Sequence, residues 1–401
     1  FRITGLPNHG SSESRVSVAI LPANDSGAAV APLSAIPAAP RVSFKATKGG
    51  ASSNSPSGES LQLVIPTRKQ QYVDQPVLQD LVPVDAVWVR LDQVETRLRE
   101  VTVANTAFLT EIAQHGIQAG GKRYRPLLAQ VAGELGPDPS HGPVESGVSV
   151  ELVHLGSLYH DDVIDEADTR RGKTSVNANW TNTIAILAGD FLLARASEVA
   201  APLGEEAVAL IARTYATLCE GQVLELQLER NLDHGPDDYY RVIGGKSASL
   251  IQTSARLGAL TAGADRDSVE AVSEWAWETG LVFQITDDVL DLVASDDFLG
   301  KPAGSDIGEG TFTLPVLYAL AGPEGPEMRA LLADAPYAPE AVTKVIELVR
   351  SGGYVEQVLQ EAIARLSIAE TAIRRLPNNE LTTIFSNLGS YLLSRVEAAL
   401  E

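Results

Sequence analysis

Between Val84 and Leu400 apolar residues recur every three or four positions, and this spacing leaves few fold classes open to the chain. The pattern runs through 84–100, 144–166, 183–200, 205–228, 238–262, 267–294, 340–350, 355–375 and 380–400. Period-two alternation is scarce, and Gly or Pro mostly falls between these stretches. An all-α bundle of roughly ten or more helices around a central cavity is therefore predicted, without a repeat at solenoid spacing. With 44% hydrophobic residues, the 401-residue chain can bury a sizeable core.

Residues 1–80 differ from this domain at 81–401. They are rich in Ser, Ala, Pro and Gly, as in APLSAIPAAP and GGASSNSPSGES, and show no helical period. A disordered or weakly ordered N-terminal extension is expected there. Its seven basic and five acidic residues contrast with the net charge of −21 for the whole chain. A Ser-rich, acid-poor organelle-targeting segment is the alternative reading of this stretch. Otherwise a cytoplasmic protein is expected, and the single Cys219 fits a reducing compartment. The acidic balance argues against nucleic acid as a partner, because phosphate backbones attract basic surfaces. The longest apolar runs, such as 184–194 with Asp190 inside it, fall short of a membrane span. Peripheral contact with a membrane remains open for a lipid-like substrate or product.

Two aspartate clusters of one form, DDVID at 161–165 and DDVLD at 287–291, lie inside apolar helical stretches. On a helix, positions i and i+4 share a face, so Asp161 pairs with Asp165 and Asp287 with Asp291. Two acidic faces turned toward one cavity repel unless cations intervene. Oxygen-only ligands suit Mg²⁺, which fills its remaining positions with water and substrate phosphate. Arg170 and Arg171 follow the first cluster and offer guanidinium forks to diphosphate oxygens. Upstream, AGGKRYRPLL (119–128) joins a Gly-Gly turn to Lys122, Arg123 and Arg125, a weak anion signal that lacks P-loop spacing. Lys246 in GGKSASL and Lys301 in LGKPAGSD are further candidate cations. His154 lies two turns before Asp161 on the same face, and His160 adjoins Asp161 without any zinc-like spacing.

Taken together these motifs resemble the trans-isoprenyl diphosphate synthases, or polyprenyl synthetases, over about 84–400. The likeness rests on GGKRYRP, DDVID with its trailing RRG, AILAGDFLLARA, GQVLEL, GGKSASL, FQITDDVLD and GKPAGSDIGEGTFTLPV. It is nearest to the medium- and long-chain bacterial, actinobacterial-like type. The resemblance implies the isoprenoid-synthase fold and Mg²⁺-dependent head-to-tail condensation of isopentenyl diphosphate onto an allylic diphosphate. It implies three Mg²⁺ ions held through the substrate diphosphate by Asp161, Asp165 and Asp287, with Asp162, Asp288 and Asp291 in support. Arg170, Lys246, Ser247, Gln284 and Lys301 match positions that hold the allylic diphosphate. Lys122, Arg125, His154 and Arg171 match those that bind isopentenyl diphosphate. A homodimer is implied, with a two-component enzyme bearing a small accessory subunit as the alternative.

Two departures from the family pattern stand out: Ser247 replaces the usual Thr, and Thr181 replaces the Gly of a Trp-Gly-Asn turn. Product length in this family depends on the residues four and five before the first cluster, here the small Ser157 and Gly156. About one turn below Asp161, they leave room for a product of roughly C30–C50, as in quinone side chains. The other reading of these small residues is close helix packing. A farnesyl or geranylgeranyl diphosphate synthase is the runner-up. A class I terpene cyclase is disfavoured, because the second cluster keeps its aspartates.

Overall fold

The computed structural model describes residues 74–294 and 303–400. Among them the helical period holds almost throughout. The N-terminal part has α1 (Asp74–Leu81), α2 (Asp85–Val101), α3 (Ala107–Gln118), α4 (Tyr124–Gly133) and α5 (Gly142–Ile164). A two-stranded hairpin follows, β1 (Thr169–Arg170) with β2 (Lys173–Thr174). After α6 (Val176–Asn179) come α7 (Asn182–Ala200), α8 (Glu205–Leu228) and α9 (Pro236–Ile243). A π-helical turn, Gly244–Ala248, then leads into α10 (Ser249–Thr261) and α11 (Arg266–Val293). The remainder is α12 (Ser305–Glu309), α13 (Leu314–Ala321), α14 (Gly325–Leu331), α15 (Pro339–Ser351), α16 (Tyr354–Ile373) and α17 (Asn379–Leu400). The fold is all-α. The last residues of the stretch assigned to the extension are helical, and Leu78 is buried in the core; residues 1–73 lie outside the described residues.

Two helices organise the bundle. Every residue of α5 from Pro143 to Val153 is buried, on all sides of the helix. A helix buried all round belongs at the centre, and α5 packs on α7, α4, α10 and α2. The longer α11 packs on α16, α10, the π turn and α17. Helix α10 touches both, and so fixes the two aspartate-bearing helices in one frame.

Local chemistry explains the element boundaries near the site. Thr181 is the N-cap of α7, and its hydroxyl accepts from the Ile184 amide at 3.2 Å. The departure from the family turn thus supplies a cap. The hairpin turns through Arg171 and Gly172, both at positive φ (53° and 73°). Paired positive φ values suit a tight two-residue β-turn that matches strand twist. Arg171 adopts this conformation without the freedom of glycine, which marks it as a constrained position.

Candidate active site

The first aspartate cluster closes α5. Glu151, His154, Asp161 and Asp165 lie three, seven and four residues apart, so they form one polar stripe along this helix. Asp161 is half-buried, and burial raises its carboxyl to about 6, with Asp165 and Glu225 adding to the rise while Lys246 and Arg170 oppose it. Burial also raises Asp165, again opposed first by Lys246. Asp162 turns elsewhere. It is 2% exposed and accepts from Arg170 Nε at 2.7 Å. Its backbone carbonyl accepts from Asn177 Nδ2 at 3.1 Å. Asp162 thus fastens Arg170 and the hairpin beneath the cluster, while Asp161 and Asp165 share their electrostatic environment with Lys246 and Glu225.

A second group of cations gathers around His154. Its Nε2 lies 3.4 Å from Arg125 Nη1 and 3.3 Å from Arg171 Nη2. Guanidinium nitrogens only donate, so this imidazole nitrogen accepts and the ring proton sits on Nδ1. Burial, then the charge of Arg125, then that of Arg171, hold His154 well below its ordinary range. A neutral histidine between two guanidiniums is a pocket built for an anion. Gly121 makes room for it: at φ 141°, a Cβ here would meet the Arg171 guanidinium at 2.5 Å. Arg171 also donates to the Gly120 carbonyl. Lys122 sits exposed on the same turn.

The π turn links the two clusters. Lys246 forms an ion pair with Glu225 of α8. Next to it, the Ser247 hydroxyl donates to Gln284 Oε1 at 2.6 Å, and Gln284 Nε2 donates to Asp288 Oδ1 at 2.8 Å. Adjacent residues of one turn therefore serve the first cluster and the second. Gly221 permits this approach, since a Cβ there would meet the Lys246 amide nitrogen at 2.9 Å. Single π turns inside α-helices recur at functional sites, because the extra residue redirects side chains.

The second cluster is braced by protein. Asp288 is 5% exposed and accepts from the Tyr239 hydroxyl at 2.6 Å. Burial, then the charge of Asp306, push its carboxyl well above the ordinary range. Asp291 is buried; its carbonyl accepts from Gly304 N at 2.8 Å and its Oδ2 from Asp306 N at 3.3 Å. Asp287 Oδ1 faces Arg395 Nη1 of α17 at 2.9 Å. Asp287 also supports the charge of Arg125, so the anion pocket and the second cluster share one electrostatic environment.

The donor set fits a hard divalent cation. Asp161, Asp165 and Asp287 offer carboxylate oxygens, and burial disfavours the charged form of Asp161, a cost that a bound cation would offset. Among the described residues no three His, Cys, Asp or Glu side chains form a ready-made metal cage. Magnesium uses one or two carboxylates together with substrate phosphate rather than an all-protein cage, so the donors present suit it.

Gly156 and Ser157 divide. Gly156 sits five residues before Asp161, a rotation of roughly 140° from its face. It packs on α7, where a Cβ would meet Leu193 Cγ at 3.0 Å and the Gly189 carbonyl at 3.1 Å. This close contact with α7 matches the alternative reading of the small residues as helix packing. Ser157, four residues before Asp161, is half-buried and donates to the His154 carbonyl at 2.8 Å. Lys301 lies outside the described residues. The sequence reading did not single out Glu225, Glu151, Glu95, Tyr239, Asp306 or Arg395. A carboxylate on a mostly apolar helix was the one available signal for Glu225 and Glu151; the others act from distant elements.

Residues 106–349 match the polyprenyl synthetase family model. The nonaprenyl diphosphate synthase of Mycobacterium tuberculosis is 38% identical over 312 residues, covering 76% of this chain and 91% of that protein. Component 2 of the Geobacillus stearothermophilus heptaprenyl diphosphate synthase is 36% identical, over 76% of this chain and 95% of that protein. Among solved structures, a Caulobacter crescentus polyprenyl synthase complexed with calcium and isoprenyl diphosphate superposes with a TM-score of 0.74 at 31% identity. The match covers 82% of this chain and 99% of that one. The chain belongs to the polyprenyl synthetase family and is a prenyltransferase. No helix among the described residues is long and apolar enough to cross a membrane.

Proposed function

We propose that this protein is a Mg²⁺-dependent all-trans-polyprenyl diphosphate synthase, which condenses isopentenyl diphosphate head-to-tail onto an allylic diphosphate to give a long-chain product. The carrying observation is the π turn: Lys246, paired with Glu225, lies in the electrostatic field of Asp161 and Asp165, while the next residue, Ser247, bonds to Gln284, which bonds to Asp288. Such a frame brackets one diphosphate between two acidic helices. Bound magnesium supplies Lewis-acid stabilisation of the departing diphosphate. Asp161, Asp165 and Asp287 hold the cation, with Asp162, Asp288 and Asp291 bracing them. Arg170, Lys246, Ser247 and Gln284 orient the allylic diphosphate so that its C–O bond ionises to an allylic cation, and Lys301 is assigned to this group from the family pattern. Arg125, Arg171, His154 and Lys122 hold isopentenyl diphosphate, whose double bond then attacks that cation at close range. The released diphosphate takes the proton lost in this step, so no side-chain base is needed. Water must be excluded, because it quenches the cation.

A long product is favoured by the absence of any bulky side chain at Ser157 and by the seven- and nine-unit products in the names of two relatives. Homodimerisation follows from the family pattern. The name of the Geobacillus relative raises a second reading, the catalytic half of a two-component enzyme. One assay separates these. Purified protein is incubated with Mg²⁺, isopentenyl diphosphate and farnesyl diphosphate, and the product is sized. A linear prenyl diphosphate of C30 or longer supports the proposal. A cyclic, diphosphate-free hydrocarbon contradicts it, and no elongation at high protein concentration points to a missing subunit.

A further inference from the structure

Beneath the anion pocket a buried ion-pair network joins three helices and the Gly-Gly turn. Arg123 Nη1 donates to Glu151 Oε1 at 2.8 Å, with the two side chains 5% and 3% exposed. Arg123 Nε pairs with Glu95 of α2. The remaining donors reach the Ile117 carbonyl at 3.0 Å and the Gly120 carbonyl at 3.3 Å. One guanidinium thus pins the end of α3, the Gly-Gly turn, α2 and α5 together. Its backbone adopts a left-handed conformation (φ 49°, ψ 35°), which a non-glycine residue keeps only where its surroundings over-determine it. The Gly120 carbonyl held by Arg123 also accepts from Arg171, and Arg125 lies two residues beyond Arg123. Glu151 further supports the charges of Arg125 and Arg171, each of which burial disfavours.

We propose that Glu151, acting through Arg123, is the positioning residue of the isopentenyl-diphosphate pocket. It holds the 119–125 segment so that Arg125 and Arg171 converge on His154. This rests on the reading of those three residues as that pocket. Two roles for Glu151 predict opposite signs. If it acted only through its charge, neutralising it would make the pocket more positive and strengthen anion binding. If it acts by position, neutralising it releases the turn and weakens binding. Its direct contact is with Arg123, which favours position.

The test uses steady-state kinetics of Glu151→Gln and Arg123→Lys in the full chain, varying each substrate with the other saturating. The expected result is a KM for isopentenyl diphosphate raised roughly ten- to hundredfold, the usual loss when a supporting partner of a ligand is removed. The KM for the allylic diphosphate and kcat should stay within about threefold, since the missing contact lies under one pocket only. Arg123→Lys should move the same constant, because lysine keeps the charge and loses the fork. Should either variant fail to fold, Glu95→Gln, at a more exposed arm of the network, is expected to show the same split in weaker form. A lowered or unchanged KM for isopentenyl diphosphate overturns the proposal, as does a parallel loss in kcat and both KM values together with the melting temperature. Wild-type protein that elongates no primer would instead defeat the functional reading on which this one stands.

Discussion

The two aspartate clusters have nearly the same sequence and opposite surroundings. DDVID closes α5, leaves Asp165 exposed, and keeps Asp161 half-buried with its carboxyl raised to about 6. DDVLD lies inside α11, where Tyr239 and Gln284 donate to Asp288, Gly304 and Asp306 to Asp291, and Arg395 faces Asp287. Identical spacing therefore does not give identical electrostatics. In the first cluster burial raises Asp161, and Lys246 and Arg170 oppose the rise from other elements. The second is held by partners from other elements, yet burial and the charge of Asp306 keep the Asp288 carboxyl well above its ordinary range.

Catalysis should be blind to that difference. Asp161→Ala and Asp287→Ala are each expected to lower turnover by at least about a hundredfold, because each removes a carboxylate proposed to hold the cation that would stabilise the leaving diphosphate. Near-normal elongation by either variant breaks the assignment of that cluster.

The next largest effect separates the two small residues before the first cluster. Ser157→Phe should shorten the product, read by chromatography of the dephosphorylated prenols. Gly156→Phe should instead cost about 1–3 kcal/mol or more in stability by overpacking the α5–α7 contact. A shorter product from well-folded Gly156→Phe would return that residue to the tunnel.

The smallest effect lies outside both clusters. Thr181→Ala should cost about 1 kcal/mol through loss of the α7 cap, and Thr181→Gly only a few tenths. Chemical denaturation measures both, with KM values expected to stay unchanged.

Much of this was legible in the sequence, for identifiable reasons. The three- and four-residue period reveals the helices because each buries a stripe, and the i, i+4 spacing puts Asp161 within the field of Asp165. What the period does not reveal is rotation about the helix. Gly156 and Ser157 are neighbours in sequence yet lie about 100° apart, so Gly156 packs on α7 while the Ser157 hydroxyl turns back to the His154 carbonyl. Nor does a motif show which of its members points away: Asp162 belongs to the first cluster by sequence and to Arg170 by geometry. Arg395 reaches Asp287 from the last helix, over a separation of more than a hundred residues that no local pattern encodes. The Arg171–Gly172 turn was hidden because two-residue strands are too short for a detectable alternation.

The contrast between the clusters is tested most directly by the melting temperature of Asp161→Asn, without metal, across pH. Because the fold raises the Asp161 carboxyl from 3.8 to about 6, it favours the protonated form. The stability from this group is therefore full below its ordinary range and is lost as the pH rises through about 6. Asp161→Asn removes that loss, so the variant should melt above the wild type near about pH 8, with the gap closing near about pH 4. Asp288→Ala, which strips the buried Tyr239 hydroxyl of its acceptor, should melt below the wild type by an amount equivalent to about 1–3 kcal/mol. An Asp161→Asn protein that melts at or below the wild type at the higher pH would contradict the account, because burial would then impose no cost on the charged form of Asp161.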